Sequence, residues 1–253
     1  MKFFTENGLK VERIAAGNYH CVALCDDGNL YTWGRGIYGV LGNGSNQQAL
    51  TPLLNEEFQF IANEAKEEGR DFFFKKIDAA DDFTAVVLND GTLFAWGKND
   101  RGQLGVGNSI GIDLVESENI PREVNFAQAL PIDQQSTPVM VTDVSTGNNT
   151  MIVKDSENRV YKTGLKIDYS PKLVALDPEM AADGKIAQLA CGTAHYVILD
   201  RENNMHCFGK IFKEKPVEEH DGFGMYDADS IFDGGKILNL SMKYEIFGAL
   251  IKD

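Results

Sequence analysis

Three glycines in the stretch YTWGRGIYGVLGNG have the spacing of a nucleotide-binding motif. Gly34, Gly36 and Gly39 match G-x-G-x-x-G after a short apolar run, a pattern that cradles a dinucleotide pyrophosphate. That chemistry also needs a helix that opens on the glycines. The residues that follow, VLGNGSNQQALTP, are rich in turn formers. The sequence therefore predicts no nucleotide or other cofactor here, and it gives the glycines a role in turns.

Histidine and cysteine side chains are the next candidates for chemistry. Cys191, His195, His206 and Cys207 are metal-ligating residue types, but their spacing reproduces no zinc motif, and we predict no metal. No cysteine pair has the C-x-x-C spacing, which indicates buried free thiols. His195 has a counterpart in His20, and a residue that recurs in a repeat favours a structural, hydrogen-bonded role over catalysis.

Carboxylates and tryptophans offer two further kinds of site. Asp78, Asp81 and Asp82 crowd together in IDAADD, where they would raise one pKa or hold a cation, but a solvated loop is the favoured interpretation. Trp33 and Trp96 could stack on a ligand, but their repetition favours core packing. No coherent Ser-His-Asp or Cys-His set is present, so the sequence predicts no enzyme.

Charge and composition restrict the range of partners. The 253 residues are 43% hydrophobic and carry a formal net charge of −14, with Lys and Arg scattered, which argues against direct nucleic-acid binding. The segment MKFFTENGLK lacks the apolar core of a signal peptide, and no run of about 18 apolar residues suggests a membrane span. We expect an intracellular protein, in the cytoplasm or cytoskeleton by elimination, with nucleus, mitochondrion and cilium left open.

These candidate residues are arranged by an internal repeat. Residues 12–44 align without a gap to residues 75–107, at an offset of 63. Weaker copies follow at offsets of 130 and 175, and a partial fifth copy begins near ILNLSMKYEIFGALIKD. Each copy alternates apolar and polar residues on both sides of a turn such as Asp27-Gly28, which predicts two short strands joined as a hairpin. In the late copies the turn becomes Glu157-Asn158 and Glu202-Asn203, and Asn also tolerates positive φ.

The repeat resembles that of the regulator of chromosome condensation family. The first copy has G-x-x-H-x-x-x-L-x-x-D-G-x-L-Y-x-W-G followed by G-x-L-G, and the second keeps Trp-Gly and Gly-Gln-Leu-Gly. The resemblance is specific over residues 11–108 and weaker to 210. We predict structural roles for the positions that carry it: Gly17, His20, Gly28, Trp33, Gly34, Gly39, Gly42, Gly91, Trp96, Gly97, Gly102, Gly105, Gly147, Gly164, Gly192, His195 and Gly209.

The resemblance implies an all-β fold, a β-propeller of the seven-bladed type with four strands per blade. Residues 1–253 supply about four blades and part of a fifth, so we expect a single incomplete propeller. A longer chain or a partner would complete the ring, because an open arc exposes strand edges. The predicted repeats are approximately 11–54, 74–128, 139–176, 184–215 and, in part, 235–253.

Three segments depart from the repeat. Asn55 as N-cap, apolar residues on one face and Gly69 as the end signal predict a short helix near 55–69. Residues 108–138 and 211–236 carry no clear period and are interpreted as long connections at a blade rim, where a rigid scaffold carries its specificity.

Two functions are compatible with this organisation. The first is a non-catalytic propeller scaffold that mediates protein–protein interaction within a larger assembly. The second, implied by the founding family member, is a guanine-nucleotide exchange factor for a small GTPase, although no wedge for a nucleotide site is evident. A role as accessory domain of a ubiquitin ligase or kinase would depend on residues beyond 253. The partners are therefore expected to be other proteins of unknown identity, with a small GTPase as one candidate.

Overall fold

The fold was analysed in a computed structural model of the chain. It describes residues 2–107, 116–164, 170–176, 180–182, 184–193, 195–208, 218–220, 223–227, 235–243 and 246–252. The predicted position Gly209 lies outside these ranges.

The described residues form mainly antiparallel sheets with few helices. Two sheets of four strands come first, each in sequential order. They consist of β1 (Val11–Ala16), β2 (His20–Cys25), β3 (Leu30–Gly34) and β4 (Ala49–Leu54), and of β5 (Phe74–Ala80), β6 (Phe83–Leu88), β7 (Leu93–Lys98) and β8 (Ser117–Glu123).

Three further sheets follow along the chain. The third is β9 (Val141–Thr146), β10 (Thr150–Asp155), β11 (Val160–Gly164) and β12 (Lys172–Leu173). The fourth contains β13 (Ile186–Cys191), β14 (Tyr196–Asp200), β15 (Asn204–Phe208), β16 (Glu218–His220) and β17 (Phe223–Asp227), in the spatial order β13-β14-β15-β17-β16. The fifth is the hairpin β18 (Lys236–Lys243) and β19 (Ile246–Lys252).

The sheets are arranged as consecutive propeller blades. The first strand of each sheet contacts the first strand of the next, so that β1, β5, β9, β13 and β18 form the inner layer. Apolar side chains of one blade pack on the next; Val22, Leu24 and Leu30, for example, share a core with Val86 and Trp96. Because a two-layer contact recurs at each junction, stacking of blades supplies the core that one thin sheet lacks. The predicted all-β propeller fold is confirmed.

The turn inside each blade shows why the repeat keeps particular residues. Gly28 and Gly91 have φ of 78° and 83° at the β2–β3 and β6–β7 turns. Asn158 and Asn203 occupy the equivalent position in the next two blades, with φ of 64° and 74°. Asn is the side chain that tolerates this left-handed region best after Gly, so the backbone conformation is the same while the residue type differs.

Two helices precede the first two blades. The helix α1 spans Lys2–Glu6, and α2 spans Glu56–Glu67. The Asn55 side chain accepts a hydrogen bond from the Phe58 N–H at 3.3 Å, which makes it the N-cap. The predicted helix near 55–69 is thereby confirmed. Neither of the described helices is long and apolar enough to span a membrane.

The two predicted long connections contain strands, and in this respect the sequence interpretation was wrong. Residues 108–138 include β8, and residues 211–236 include β16 and β17. The strand β8 is the outermost strand of its blade and contains Pro121, which an edge strand tolerates because one side of its backbone forms no ladder. Its residues are mostly polar and half-buried, so the strand lacks the alternation that marks inner strands.

Candidate interaction face

The predicted repeat positions lie at turns and at the strand ends beside them. In the first blade Gly17 lies in the β1–β2 turn, His20 begins β2, Gly28 lies in the β2–β3 turn, Trp33 and Gly34 end β3, and Gly39 and Gly42 lie in the loop after it. In later blades Gly91 lies in the β6–β7 turn, Trp96 and Gly97 in β7, Gly102 and Gly105 in the loop after it, Gly147 and Gly192 after β9 and β13, His195 before β14, and Gly164 at the end of β11.

Two hydrogen bonds show how the Gly-x-Leu-Gly loop of one blade holds the next blade. The Trp96 indole Nε1–H donates to the Val40 carbonyl at 2.8 Å. The Thr163 hydroxyl, at the equivalent position one blade later, donates to the Gln103 carbonyl at 2.6 Å. Val40 and Gln103 are themselves equivalent. We therefore propose a structural role for this position, in agreement with the absence of any exposed surface on Trp96.

The closing glycine of each loop makes room for that contact. A Cβ on Gly42 would lie 2.7 Å from Trp96 Nε1, and a Cβ on Gly105 would lie 2.7 Å from Thr163 Cγ2. Both glycines also have positive φ, 64° and 67°. A larger residue there would collide with the adjacent blade, which accounts for glycine on physical grounds.

His20 also joins the first two blades. Its Nε2 lies 2.8 Å from the Thr84 hydroxyl, and the residue is 2% exposed. His195, at the equivalent position, is half-buried. We therefore propose a structural role for His20, because its buried ring is bonded to a threonine of the adjacent blade.

Cys191, Cys207 and His206 are buried inside the blades. Burial raises the pKa of the Cys191 and Cys207 thiols to about 12, so that neither is a reactive thiolate near neutral pH. The Cys191 Sγ lies 3.2 Å from the Thr150 hydroxyl. The Nε2 of His206 lies 3.0 Å from an Asp200 carboxylate oxygen. Within the described ranges, no group of three or more His, Cys, Asp or Glu is placed to hold a metal.

The inner strands of all five blades enclose a cavity of about 390 Å³ along the propeller axis. Asp78 lies there on β5, half-buried, and not in the solvated loop that its sequence context suggested. Its carboxylate accepts the Thr146 N–H at 2.7 Å, and burial raises its pKa. Ser145, the equivalent residue one blade later, accepts the Cys191 N–H at 3.1 Å. These polar groups therefore hold adjacent blades together.

The loops between the first two strands of the first three blades lie at one mouth of this cavity. The Asp81 carbonyl accepts the Asn18 N–H at 2.8 Å, and the Asn18 side chain also donates to the Asp81 carboxylate. From the third blade, the amide of Asn148, oriented with its nitrogen towards Asp81, donates to both carboxylate oxygens at 2.6 and 2.9 Å. Asp81 is thus held from both sides, and no carboxylate oxygen is left without a donor.

Beside this mouth lies an exposed aromatic surface, which we call the tyrosine patch and define as Tyr19, Arg35, Ile37, Tyr38 and Lys98. Tyr19 is 59% exposed, and the Arg35 guanidinium carbon lies 5.0 Å from its ring centroid. Tyr38 is 38% exposed, with Lys98 Nζ 5.1 Å from its ring centroid. Each tyrosine is therefore paired with a cation at cation–π distance.

Tyr38 holds its exposed ring in a strained backbone conformation. Tyr38 has φ of 59°, a left-handed conformation that costs a non-glycine residue about 1–3 kcal/mol. Tyr and Arg are residue types enriched at the centres of protein–protein interfaces, and a tyrosine supplies a large contact area with few rotatable bonds. Sequence reasoning missed the tyrosine patch, because Tyr19 and Tyr38 do not belong to the repeat pattern.

One acidic group lies between the two cations of the patch. Burial raises the pKa of the Asp82 carboxyl, while the charges of Lys98 and Arg35 act in the opposite direction. Lys98 also lies 3.5 Å from an Asp100 oxygen. The tyrosine patch therefore carries mixed charge around two exposed rings, an arrangement suited to binding a protein surface and lacking a nucleophile with an adjacent base.

Two family models match the chain, both with the description "Regulator of chromosome condensation (RCC1) repeat". The first matches residues 27–87 and 90–153. The second matches residues 11–40 and 74–103. Together they account for more than half of the sequence and cover the first two blades and the first part of the third.

Curated relatives share the repeat within longer chains. E3 ubiquitin-protein ligase HERC2 of Homo sapiens is 28% identical over 80% of this chain and 4% of its own length. Protein RCC2 of Homo sapiens is 24% identical over 80% of this chain and 40% of its own. X-linked retinitis pigmentosa GTPase regulator of Homo sapiens is 28% identical over 79% and 18%. The chain thus spans less than half the length of each of these relatives.

Two solved structures resemble the fold. Human WBSCR16 superposes with a TM-score of 0.70 at 18% identity, over 96% of this chain and 58% of that one. Yeast RCC1 (Prp20), in a structure bound to Kap60, superposes with a TM-score of 0.50 at 15% identity, over 93% and 66%. At these identities the likeness concerns the propeller fold alone.

Proposed function

Because the chain belongs to the regulator of chromosome condensation repeat family, we propose that it is a non-catalytic propeller scaffold that binds a partner protein through the tyrosine patch. The family consists mostly of regulators and scaffolds. In several relatives the matched repeats make up only part of a longer protein. In the same way, this propeller would act within a larger assembly. An intracellular location, in the cytoplasm or cytoskeleton, is part of the proposal.

The observation that carries the proposal is the display of two tyrosines on two loops of the first blade. Tyr19 and Tyr38 expose much of their rings, and Tyr38 does so in a strained backbone conformation. Strain at an exposed aromatic residue is characteristic of a binding position, since folding alone would favour glycine there. Arg35 and Lys98 hold the rings in place before a partner arrives.

Affinity purification with quantitative mass spectrometry tests this proposal. The double variant Tyr19→Ala, Tyr38→Gly removes both rings, and glycine at position 38 relieves the positive φ, so the fold should be retained. Ile132→Ala is the matched control, because Ile132 is 90% exposed and lies outside the patch. We expect the double variant to lose its main protein partners and the control to keep them. Equal recovery from both baits would contradict the proposal.

Guanine-nucleotide exchange on a small GTPase is the alternative function. It is supported by the name of one relative, X-linked retinitis pigmentosa GTPase regulator. Release of a fluorescent guanine nucleotide from a panel of small GTPases distinguishes the two proposals. A scaffold leaves the release rate unchanged at substoichiometric concentration, whereas an exchange factor accelerates release with turnover.

A further inference from the structure

A second surface feature lies on the second blade, at the strand ends opposite to those that carry the tyrosine patch on the first blade. It is a cavity of about 480 Å³ lined by the β6–β7 turn, the end of β8 and residues 124–140. The patch comes from the connections after β1 and β3, whereas this cavity lies beside the Asp90-Gly91 turn, at the opposite strand ends. The two sites are therefore separate.

The floor of the cavity is apolar. Leu93, Val124 and Phe126 line it and are 1%, 4% and 7% exposed, and Val106 and Val139 beside them are half-buried. A cavity of this size with an apolar floor is large enough for one or two amino-acid side chains.

Contacts with neighbouring elements hold the walls in place. The Phe126 ring packs edge-on against Tyr161 of the third blade, with centroids 5.0 Å apart. The Val141 N–H donates to the Gly91 carbonyl at 2.9 Å. A Cβ on Gly91 would lie 2.8 Å from Met140 Cα, so glycine permits this close approach of the two walls. The cavity is thus formed before any ligand binds.

The rim of the cavity is acidic. Asp90 and Glu123 are exposed carboxylates in the lining, and the described part of the lining contains no Lys, Arg or His. Asp90 Oδ1 accepts the Thr92 N–H at 2.9 Å. Arg122, the nearest cation in sequence, projects from the other face of β8 and pairs with Glu118 at 3.9 Å. Among the described residues, neither rim carboxylate forms an ion pair.

We propose that this cavity binds a linear peptide segment of a partner protein in which one arginine or lysine is flanked by apolar residues. The cation lies between Asp90 and Glu123, and its methylene stem covers Leu93 and Val139. An adjacent apolar side chain contacts Met140, which is 44% exposed. Charge complementarity favours this occupant, since the charged groups of the described rim are all acidic and the chain carries a net charge of −14.

Fluorescence anisotropy with defined peptides tests the proposal on the full chain. The probe is a fluorescein-labelled peptide of seven residues with one arginine between two leucines in a glycine–serine background. A peptide with glutamate in place of the arginine is the control probe. We expect the arginine peptide to bind, more weakly as salt is raised, and the glutamate peptide not to bind.

Matched variants locate the binding. Asp90→Asn with Glu123→Gln neutralises the rim, and the amide oxygen of the asparagine still accepts the Thr92 N–H of the turn. Glu64→Gln with Glu67→Gln makes the same charge change on exposed positions of α2. We expect the rim variant to weaken binding at least about tenfold and the α2 variant to leave it unchanged. Glu123→Gln alone gives the same test should the double variant melt early.

Three results would overturn the proposal: no anisotropy change with the wild-type chain, equal binding of the glutamate peptide, or binding that the rim variants leave intact. Because the tyrosines of the patch lie on loops of the first blade, at the opposite strand ends, failure here would leave the proposed scaffold function untouched.

Discussion

At the scale of the residue, two tryptophans from the same repeat position have different surroundings. Trp96 is fully buried and donates to the Val40 carbonyl of the preceding blade. Trp33 is half-buried and packs against Phe4, with ring centroids 5.7 Å apart. No described residue accepts a hydrogen bond from the Trp33 indole. Trp96 thus joins two blades through a hydrogen bond, whereas Trp33 contributes through ring packing.

This contrast predicts unequal effects of the same substitution. Trp96→Phe removes the bond to Val40 and leaves that buried carbonyl without a partner, which we expect to lower the free energy of unfolding by about 1–3 kcal/mol. Trp33→Phe serves as the matched control and should cost less than about 1 kcal/mol, since it removes ring area only. Chemical denaturation of both variants measures the difference. Equal losses would show that the hydrogen bond contributes nothing.

Asp200 provides a pH-dependent contribution in the fourth blade. Burial by itself would raise the pKa of the Asp200 carboxyl. Hydrogen bonds from His206 and Asn204 outweigh this effect and hold the pKa below its usual value. A carboxyl with a depressed folded-state pKa stabilises the fold above its unfolded pKa of about 4, and this contribution disappears as pH falls through the folded value.

We therefore expect Asp200→Asn to lower the free energy of unfolding at pH 7 by about 1–3 kcal/mol, because the turn loses a charged acceptor. The gap between variant and wild type should narrow as the pH is lowered through the acid range. Denaturation curves recorded from neutral pH down to about pH 3, below the unfolded pKa of an aspartate, measure this gap. A gap that stays constant or widens towards acid would contradict the assignment.

At the scale of the element, the segments that flank the blades share an aromatic contact that the repeat alignment does not contain. Each of these segments precedes a blade or follows its last strand, and each contains a phenylalanine whose ring packs edge-on against an aromatic residue of a blade. The pairs are Phe4 with Tyr31, Phe58 with Phe94, and Phe126 with Tyr161. These three partners occupy one repeat position. The phenylalanines come from α1, from α2 and from the connection after β8, so their sequence spacing varies while their packing is the same.

This aromatic contact predicts that the stability of the fold depends strongly on Phe58 of α2. Phe58 is 2% exposed and contacts Phe74, Phe94 and Trp96. Phe58→Ala should therefore lower the free energy of unfolding by about 3–5 kcal/mol through the cavity it leaves. Phe60→Ala is the control on the same helix, because Phe60 is 60% exposed and should change stability by less than about 1 kcal/mol. Comparable losses would show that α2 is not packed through Phe58.

The repeat predicted the parts of the fold that depend on backbone conformation. Turn positions such as Gly28 and Gly91 have positive φ in each of the first four blades, so only Gly or Asn recurs there and the copies can be aligned. Outer strands such as β8 could not be predicted, because an edge strand with Pro121 lacks a buried face with clear alternation. Asp78 was misplaced for a related reason, since a polar residue in an inner strand interrupts the alternation that marks strands.

The candidate sites were harder to predict than the fold. Tyr19 and Tyr38 come from two different loops of the first blade, and no sequence pattern distinguishes an exposed tyrosine from a buried one. The acidic cavity likewise joins Asp90 to residues 123–140 across the bend between two blades. Binding surfaces of this kind arise from loops on a rigid scaffold, whose spatial arrangement the repeat does not encode.

At the scale of the whole molecule, the blades form an arc in which each contacts the next through its inner strand. The repeat boundaries that we predicted from the sequence remain a proposal. Opposite strand ends present different chemistry, with cation-paired tyrosines on loops of the first blade at one end and an apolar cavity with an acidic rim on the second blade at the other. One propeller could therefore hold two partner segments at once, as a scaffold requires.

Site-specific photocrosslinking tests the central claim most directly. A photoreactive phenylalanine analogue placed at Tyr38 should crosslink to a partner protein in cells, because the ring is exposed and lies in the tyrosine patch. The same analogue at Ile132, which is more exposed, should give no specific product. A discrete crosslinked species at position 38 that Tyr19→Ala reduces is the result expected of a scaffold that binds through this patch. Equal crosslinking at both positions, or none at position 38, would contradict it.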